Sequence, residues 1–137
     1  MKLKKMGAAI AATTALFSGS TLIAATPAAA VGGCPSGKLC LYRSTEYRTL
    51  AFTSTSTSAC FSLKQYGMGY GTNGINSYVN NLSVKATIWR TEHPDTAWST
   101  GTIRPGGFTS NTQAVNPDNS GYEWRSADQI CTGSAKP

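Results

Sequence analysis

The stretch from Cys34 to Tyr42, which reads CPSGKLCLY, constrains the fold of this chain more than any other segment. Pro35 and Gly37 favour a tight loop between its two cysteines, so a local disulfide fits the residues. Leu39 and Leu41 then alternate as in a strand with one apolar face. The chain has four cysteines, which allow three pairings, so the residues alone leave the connectivity open.

A longer pattern continues from this stretch. Tyr47 follows Tyr42 by five positions, Thr49 comes two residues later, and Ser77 lies in the segment NSYVNN. The crystallin Greek-key pattern has two aromatics at this spacing, then a glycine, and later a serine that pins the folded hairpin. Tyr42, Tyr47 and Ser77 fit this pattern, and Thr49 stands where glycine is expected. Together with CPSGKLCLY, it resembles the secreted actinobacterial proteins of peptidase inhibitor family I36 over about residues 34–84.

This resemblance implies an all-β fold, a βγ-crystallin-like Greek-key sandwich stapled by disulfides. It also implies that Cys34 pairs with Cys40, as the corresponding cysteines do in the family. With that pairing taken from the family, Cys60 and Cys131 are expected to form the second disulfide.

The rest of the chain agrees with an all-β fold. Short β-branched and aromatic pieces are separated by Asn, Ser and glycine-rich turns, and no sustained 3.6-residue periodicity follows residue 30. The second half is expected to hold a second Greek key, and Thr87–Arg90 is the best candidate for its first strand.

Residues 1–30 have the order of a secretory signal peptide: lysines, a weakly apolar run, and Ala28 and Ala30 in an Ala-x-Ala pattern. Cleavage after Ala30 would leave residues 31–137 as a single domain, secreted and extracellular, with no membrane attachment. The alternative is a lipobox, Val31–Cys34, with Cys34 lipidated, which would leave an odd number of cysteines for pairing.

Charge gives no support for nucleic-acid binding. Without the three lysines of residues 1–30, nine Lys or Arg remain against six Asp or Glu, and no basic cluster is present. We expect a monomer.

Catalytic motifs are missing from the sequence, so we predict that the protein is not an enzyme. The only histidine is His93, between Glu92 and Pro94, and no serine lies in a Gly-x-Ser-x-Gly motif. The acidic residues form no paired-carboxylate motif, and no close Cys/His cluster predicts zinc apart from the two cysteines of CPSGKLCLY.

Calcium is the one metal that the crystallin resemblance raises. The corresponding stretch is Thr72–Ser77, TNGINS, in which Asn73 and Ser77 are the remaining candidate ligands. No carboxylate is present, and a hard divalent cation held by neutral oxygens alone binds weakly. We therefore expect no cofactor.

The resemblance implies a non-catalytic inhibitor with an extracellular protease as its partner. In the family pattern, inhibition depends on a rigid, disulfide-flanked loop in the second half that presents a slowly cleaved peptide bond. No cysteine lies between Cys60 and Cys131, so such a loop is missing or differently braced. The residues do not identify it; the turn-rich segments Glu92–Thr96 and Arg104–Phe108 are the candidates.

The alternative function is an antimicrobial or killer-toxin-like protein, or a structural cell-envelope protein, of the same fold. Exposed Trp89, Trp98 and Trp124 would suit an envelope target, whereas core packing is their other interpretation.

Overall fold

A computed structural model describes residues 30–69, 72, 74–93, 96–115, 124 and 127–137. Residues 1–29 of the predicted signal peptide and the calcium candidate Asn73 therefore lie outside the described residues. The eight strands of the described part are β1 Leu39–Tyr42, β2 Leu50–Ser54, β3 Cys60–Ser62, β4 Ser77–Asn80, β5 Ala86–His93, β6 Thr96–Ile103, β7 Phe108–Thr109 and β8 Gln129–Thr132.

Helices are short in the described part. Two 3₁₀ turns span Val31–Gly33 and Leu63–Tyr66, and one α-helical turn, α1, spans Thr112–Val115. Gly67 ends the second 3₁₀ turn with φ 66°, a conformation that glycine adopts without a steric penalty. Within the described ranges, none of these helices has the length and apolarity needed to cross a membrane.

The strands form two four-stranded antiparallel sheets, β2-β1-β4-β7 and β3-β8-β5-β6. Each half of the chain contributes four strands, and the third strand of each half, β3 or β7, pairs in the sheet built by the other half. This exchange makes two interlocked Greek keys. The prediction of an all-β, βγ-crystallin-like Greek-key sandwich is confirmed.

The main core lies between the two sheets. Leu39 and Leu41 of β1 contribute to it from the first sheet, and Ile88 of β5 and Ile130 of β8 from the second, each with no exposed surface. Burying a side chain of this size contributes about 1.5–3 kcal/mol.

The opposite face of β1 is also buried, which the alternating pattern did not predict. Cys40 and Tyr42 pack there with Cys34 and Val79 in a second, smaller cluster. A strand buried on both faces explains why the CPSGKLCLY stretch carries so few polar residues after Lys38.

Two disulfides join Cys34 to Cys40 and Cys60 to Cys131, the pairs that the family resemblance implied. The first closes the loop before β1, with a Cα–Cα distance of 5.9 Å. The second spans 71 positions and links directly opposed residues of β3 and β8. It therefore ties the third strand of the first Greek key to the last strand of the second.

Candidate functional site

The predicted aromatic corner forms at the turn after β1. The rings of Tyr42 and Tyr47 meet edge to face, with centroids 5.7 Å apart. The buried Ser77 hydroxyl donates to the carbonyl oxygen of Ser44 at 2.7 Å and accepts from the backbone N–H of Tyr47 at 3.2 Å. Ser77 thus holds both sides of the folded turn, which is the role that the crystallin pattern gives its serine.

The backbone of this corner is strained. Glu46, Tyr47 and Thr49 have φ values of 56°, 53° and 59°, in the left-handed region that favours glycine. Thr49 therefore keeps the conformation that the pattern's glycine would adopt, although it carries a β-branched side chain. Burial raises the pKa of both Tyr42 and Tyr47 above the ordinary value of 10.0.

The described side chains of Thr72–Ser77, the candidate calcium stretch, include three that form hydrogen bonds within the protein. The Asn76 amide donates to the Arg43 carbonyl oxygen at 2.7 Å, and Ser77 is bound as described above. The Thr72 hydroxyl donates to the carbonyl oxygen of Gly69 at 2.7 Å. The described residues contain no group of three or more His, Cys, Asp or Glu side chains placed to hold a metal ion. The expectation that calcium binds at most weakly, with Asn73 and Ser77 as the candidate ligands, stays a prediction.

The hairpin formed by β5 and β6 extends beyond the rest of its sheet. β8 pairs with β5 only from Ala86 to Trp89, whereas the β5–β6 pairing continues through Arg90 opposite Trp98 to His93 opposite Thr96. We call residues 90–99 the ribbon. Its tip contains the candidate segment Glu92–Thr96, of which Pro94, Asp95 and the flanking side chains lie outside the described residues.

Two contacts brace the base of the ribbon. The backbone N–H of Thr91 donates to the Asp128 carboxylate at 2.9 Å, and the N–H of Asp128 donates to the carbonyl oxygen of Trp89 at 2.9 Å. Across the ribbon, the Arg90 guanidinium carbon lies 5.6 Å from the centre of the Trp98 ring, a cation–π contact. These contacts hold the base of the ribbon in place.

The second candidate segment, Arg104–Phe108, is the corner at which the chain passes from β6 in one sheet to β7 in the other. The N–H of Gly107 donates to the carbonyl oxygen of Arg104 at 2.9 Å, and Gly106 has φ 69°. With Pro105 in the second position, this is the pattern of a type II turn. Phe108 is 59% exposed at its end.

Asn80 braces this turn from beneath, which the sequence did not predict. Its fully buried amide nitrogen lies within hydrogen-bond distance of the carbonyl oxygens of Val84, Ile103 and Arg104, at 2.9, 3.3 and 3.1 Å. The only sequence signal was an asparagine at the end of the apolar strand β4, where a buried amide needs several partners.

The three tryptophans have different surroundings. Trp124 is 5% exposed and stacks on Tyr78 in the core, with ring centroids 5.0 Å apart, so its interpretation as an exposed aromatic is wrong. Its indole lies beside Gly101, where an added β-carbon would be 3.8 Å from the ring. Trp89 is half-buried, and Trp98 is 41% exposed.

The model of peptidase inhibitor family I36 matches residues 27–99. The chain belongs to this family. The resemblance read from the sequence is therefore confirmed, and with it the expectation of a non-catalytic protein, because I36 is a family of inhibitors and not of enzymes. Neither a curated protein nor a solved structure matches the chain.

The matched segment of the I36 family includes β1 to β5, the ribbon tip and the start of β6. It ends before Arg104, so the turn at Arg104–Phe108 lies outside the part of the chain that is similar to the family. Membership implies a protease target in general terms.

Proposed function

We propose that this protein is a secreted peptidase inhibitor and that the tip of the ribbon, Glu92–Thr96, enters the substrate cleft of an extracellular protease. Membership in family I36 carries the proposal, since the family match includes the ribbon tip and excludes Arg104–Phe108. This favours Glu92–Thr96 over Arg104–Phe108, two candidate segments that the sequence left equal.

The geometry of the ribbon supports this choice. Binding a flexible loop loses conformational entropy, so a loop that is already ordered in the free protein binds more tightly. The Asp128 carboxylate fixes the backbone at Thr91, and the Arg90–Trp98 contact ties the two strands together across the ribbon. We propose that these contacts replace the flanking disulfide of the family pattern.

Secretion is part of the proposal. Residues 1–30 have the layout of a signal peptide, and two disulfides are expected to persist only in an oxidising compartment. Intact mass of the exported protein tests this point. The N-terminus should be Val31, whereas a diacylglyceryl group on Cys34 would contradict signal cleavage after Ala30.

The inhibitor itself is tested by titrating a panel of metalloproteases and serine proteases with the purified exported protein. We expect stoichiometric inhibition of at least one member. Growth inhibition of other bacteria without any protease binding would contradict the proposal and favour the antimicrobial alternative.

A matched pair of exposed aromatics tests which loop binds. Trp98→Ala removes the cross-ribbon contact and should weaken inhibition by at least tenfold, the range of a buried interface tryptophan. Phe108→Ala removes a more exposed aromatic from the other segment and should leave inhibition unchanged. The opposite result would move the binding loop to Arg104–Phe108.

The Asp128→Ala variant tests whether the hydrogen bond between Thr91 and Asp128 is needed for inhibition. It leaves every ribbon side chain in place but removes the acceptor for the Thr91 N–H, so we expect about tenfold weaker inhibition. Thermal unfolding of the same variant serves as the control for folding. Unchanged inhibition by a folded Asp128→Ala variant would show that the ribbon needs no such brace.

A further inference from the structure

A groove of about 700 Å³ lies on the outer face of the second sheet, on the side away from the core. Ala86, Ile88 and Ile103 face the core, so the residues that alternate with them along β5 and β6 face outward. Those residues form the floor of the groove: Thr87, Trp89, Ser99 and Thr102. The volume lies within the ~300–1,000 Å³ that small-molecule sites occupy.

The lining has one sign of charge. Lys85 before β5 and Lys136 beyond β8 both border the groove, and no acidic residue is among the lining residues in the part of the chain that the structure describes. Two ammonium groups at the border of a groove whose described lining holds no acidic side chain favour an anionic ligand.

The uncharged part of the floor suits a ligand rich in hydroxyl groups. Thr87, Ser99 and Thr102 place hydroxyls beside the half-buried Trp89, and each hydroxyl can both donate and accept. The indole N–H of Trp89 is covered and has no protein partner among the described residues. A buried donor without a partner is costly.

A peptide fits this floor less well than a sugar does. β5 is paired on one side with β6 and on the other with β8, so its backbone groups are already used. A peptide lying over β5 on the floor could therefore not add itself as a strand, which is how extended peptides commonly gain affinity on sheets; in the described sheet the open edge on this side belongs to β6. A saccharide needs only side-chain hydroxyls, charges and an aromatic face.

We propose that this groove binds an acidic oligosaccharide of the uronic-acid type. The carboxylates would pair with Lys85 and Lys136, and the polarised C–H groups of a sugar ring would lie against the electron-rich face of Trp89. This site is separate from the ribbon tip and extends the protein's function beyond protease inhibition, to attachment at a carbohydrate surface.

The test is calorimetric titration of the purified exported protein with trigalacturonate, and with galactotriose as the neutral counterpart. We expect binding of trigalacturonate with at least tenfold preference over galactotriose. The indole N–H resonance of Trp89 should shift on binding. Absence of trigalacturonate binding at millimolar concentration would overturn the proposal.

Variants that remove positive charge distinguish binding in this groove from general electrostatic attraction to the protein. Lys85→Gln with Lys136→Gln should weaken trigalacturonate binding about tenfold. Lys38→Gln with Lys64→Gln removes the same charge elsewhere and should leave binding unchanged. An equal loss in both double variants, or equally tight binding of triglutamate, would overturn the assignment to an acidic saccharide.

Protease inhibition is measured on the same variants. The lysine variants should inhibit as the parent does, and Asp128→Ala should bind trigalacturonate as the parent does. Failure of one activity therefore leaves the other measurable.

Discussion

Thr49 offers the sharpest test of the structural reasoning, because it is a β-branched residue at φ 59° where the crystallin pattern has glycine. An L-residue in this region loses about 1–2 kcal/mol to the contact between its Cβ and the following carbonyl oxygen, and a β-branched residue lies at the upper end. Replacing it with glycine removes that contact. Glycine in turn makes the unfolded chain more flexible, which costs about 0.4–1 kcal/mol.

The balance predicts that Thr49→Gly stabilises the protein by about 1 kcal/mol, or ~4–6 °C in melting temperature for a domain of this size. Little else is lost. The Thr49 side chain is exposed, and its hydroxyl accepts only a 3.3 Å contact from Ser44, also at the surface. The hydrogen bond from the Arg43 N–H to the Thr49 carbonyl oxygen is made by the backbone and stays.

Two control variants isolate the cause. Thr49→Ala keeps Cβ and should change stability little, since most of the strain remains. Thr53→Gly places glycine at an exposed position of β2, where strand geometry needs no positive φ, and should destabilise by roughly 0.5–1 kcal/mol. Urea denaturation of the three variants gives the free energies. If Thr49→Gly destabilises as Thr53→Gly does, the corner is not strained and the reasoning is refuted.

Three further results are expected. Replacing both Cys60 and Cys131 with serine should lower the free energy of unfolding by about 4 kcal/mol, whereas replacing both Cys34 and Cys40 should lower it by about 2 kcal/mol. The reason is that the disulfide closing the longer loop removes more entropy from the unfolded chain. The reverse order in urea denaturation would contradict this. Burial raises the pKa of Tyr78 above its ordinary value of 10.0. Above that pH the unfolded chain binds fewer protons than the folded one, so the free energy of unfolding falls as pH rises. Tyr78→Phe should flatten this fall in urea denaturation at several pH values, and an unchanged slope would exclude Tyr78 as its cause. Millimolar calcium should leave the melting temperature almost unchanged for want of carboxylates, whereas a rise of many degrees would show a real site.

Much of the fold could be predicted because its signals are local. Neighbouring residues determine the tight loop before Leu39 and the spacing of Tyr42 and Tyr47, so the first corner could be predicted from the sequence. The serine of that corner was also found, although it lies 30 positions from Tyr47, because the family pattern supplied it. Period-two alternation and glycine-rich turns were enough to predict an all-β protein.

The candidate site depended on contacts that no local pattern encodes. Asp128 holds Thr91 across 37 positions, and Asn80 holds the Arg104 turn across 24. In the sequence both were ordinary polar residues, and only the pairing of β8 with β5 and of β7 with β4 brought them to their partners.

The sequence by itself determined the class of fold and the tight loop before β1, since these follow from the conformations open to adjacent residues. The pairing of Cys34 with Cys40 and the serine of the aromatic corner came from the family resemblance. Only the tertiary structure decided the exchange of β3 and β7 between the sheets, the length of the ribbon beyond β8, and the groove on the outer face of the second sheet. The physical reason is that strand pairing is chosen by the burial of the whole core. A strand's own residues determine which of its faces is apolar, but they do not determine its neighbour.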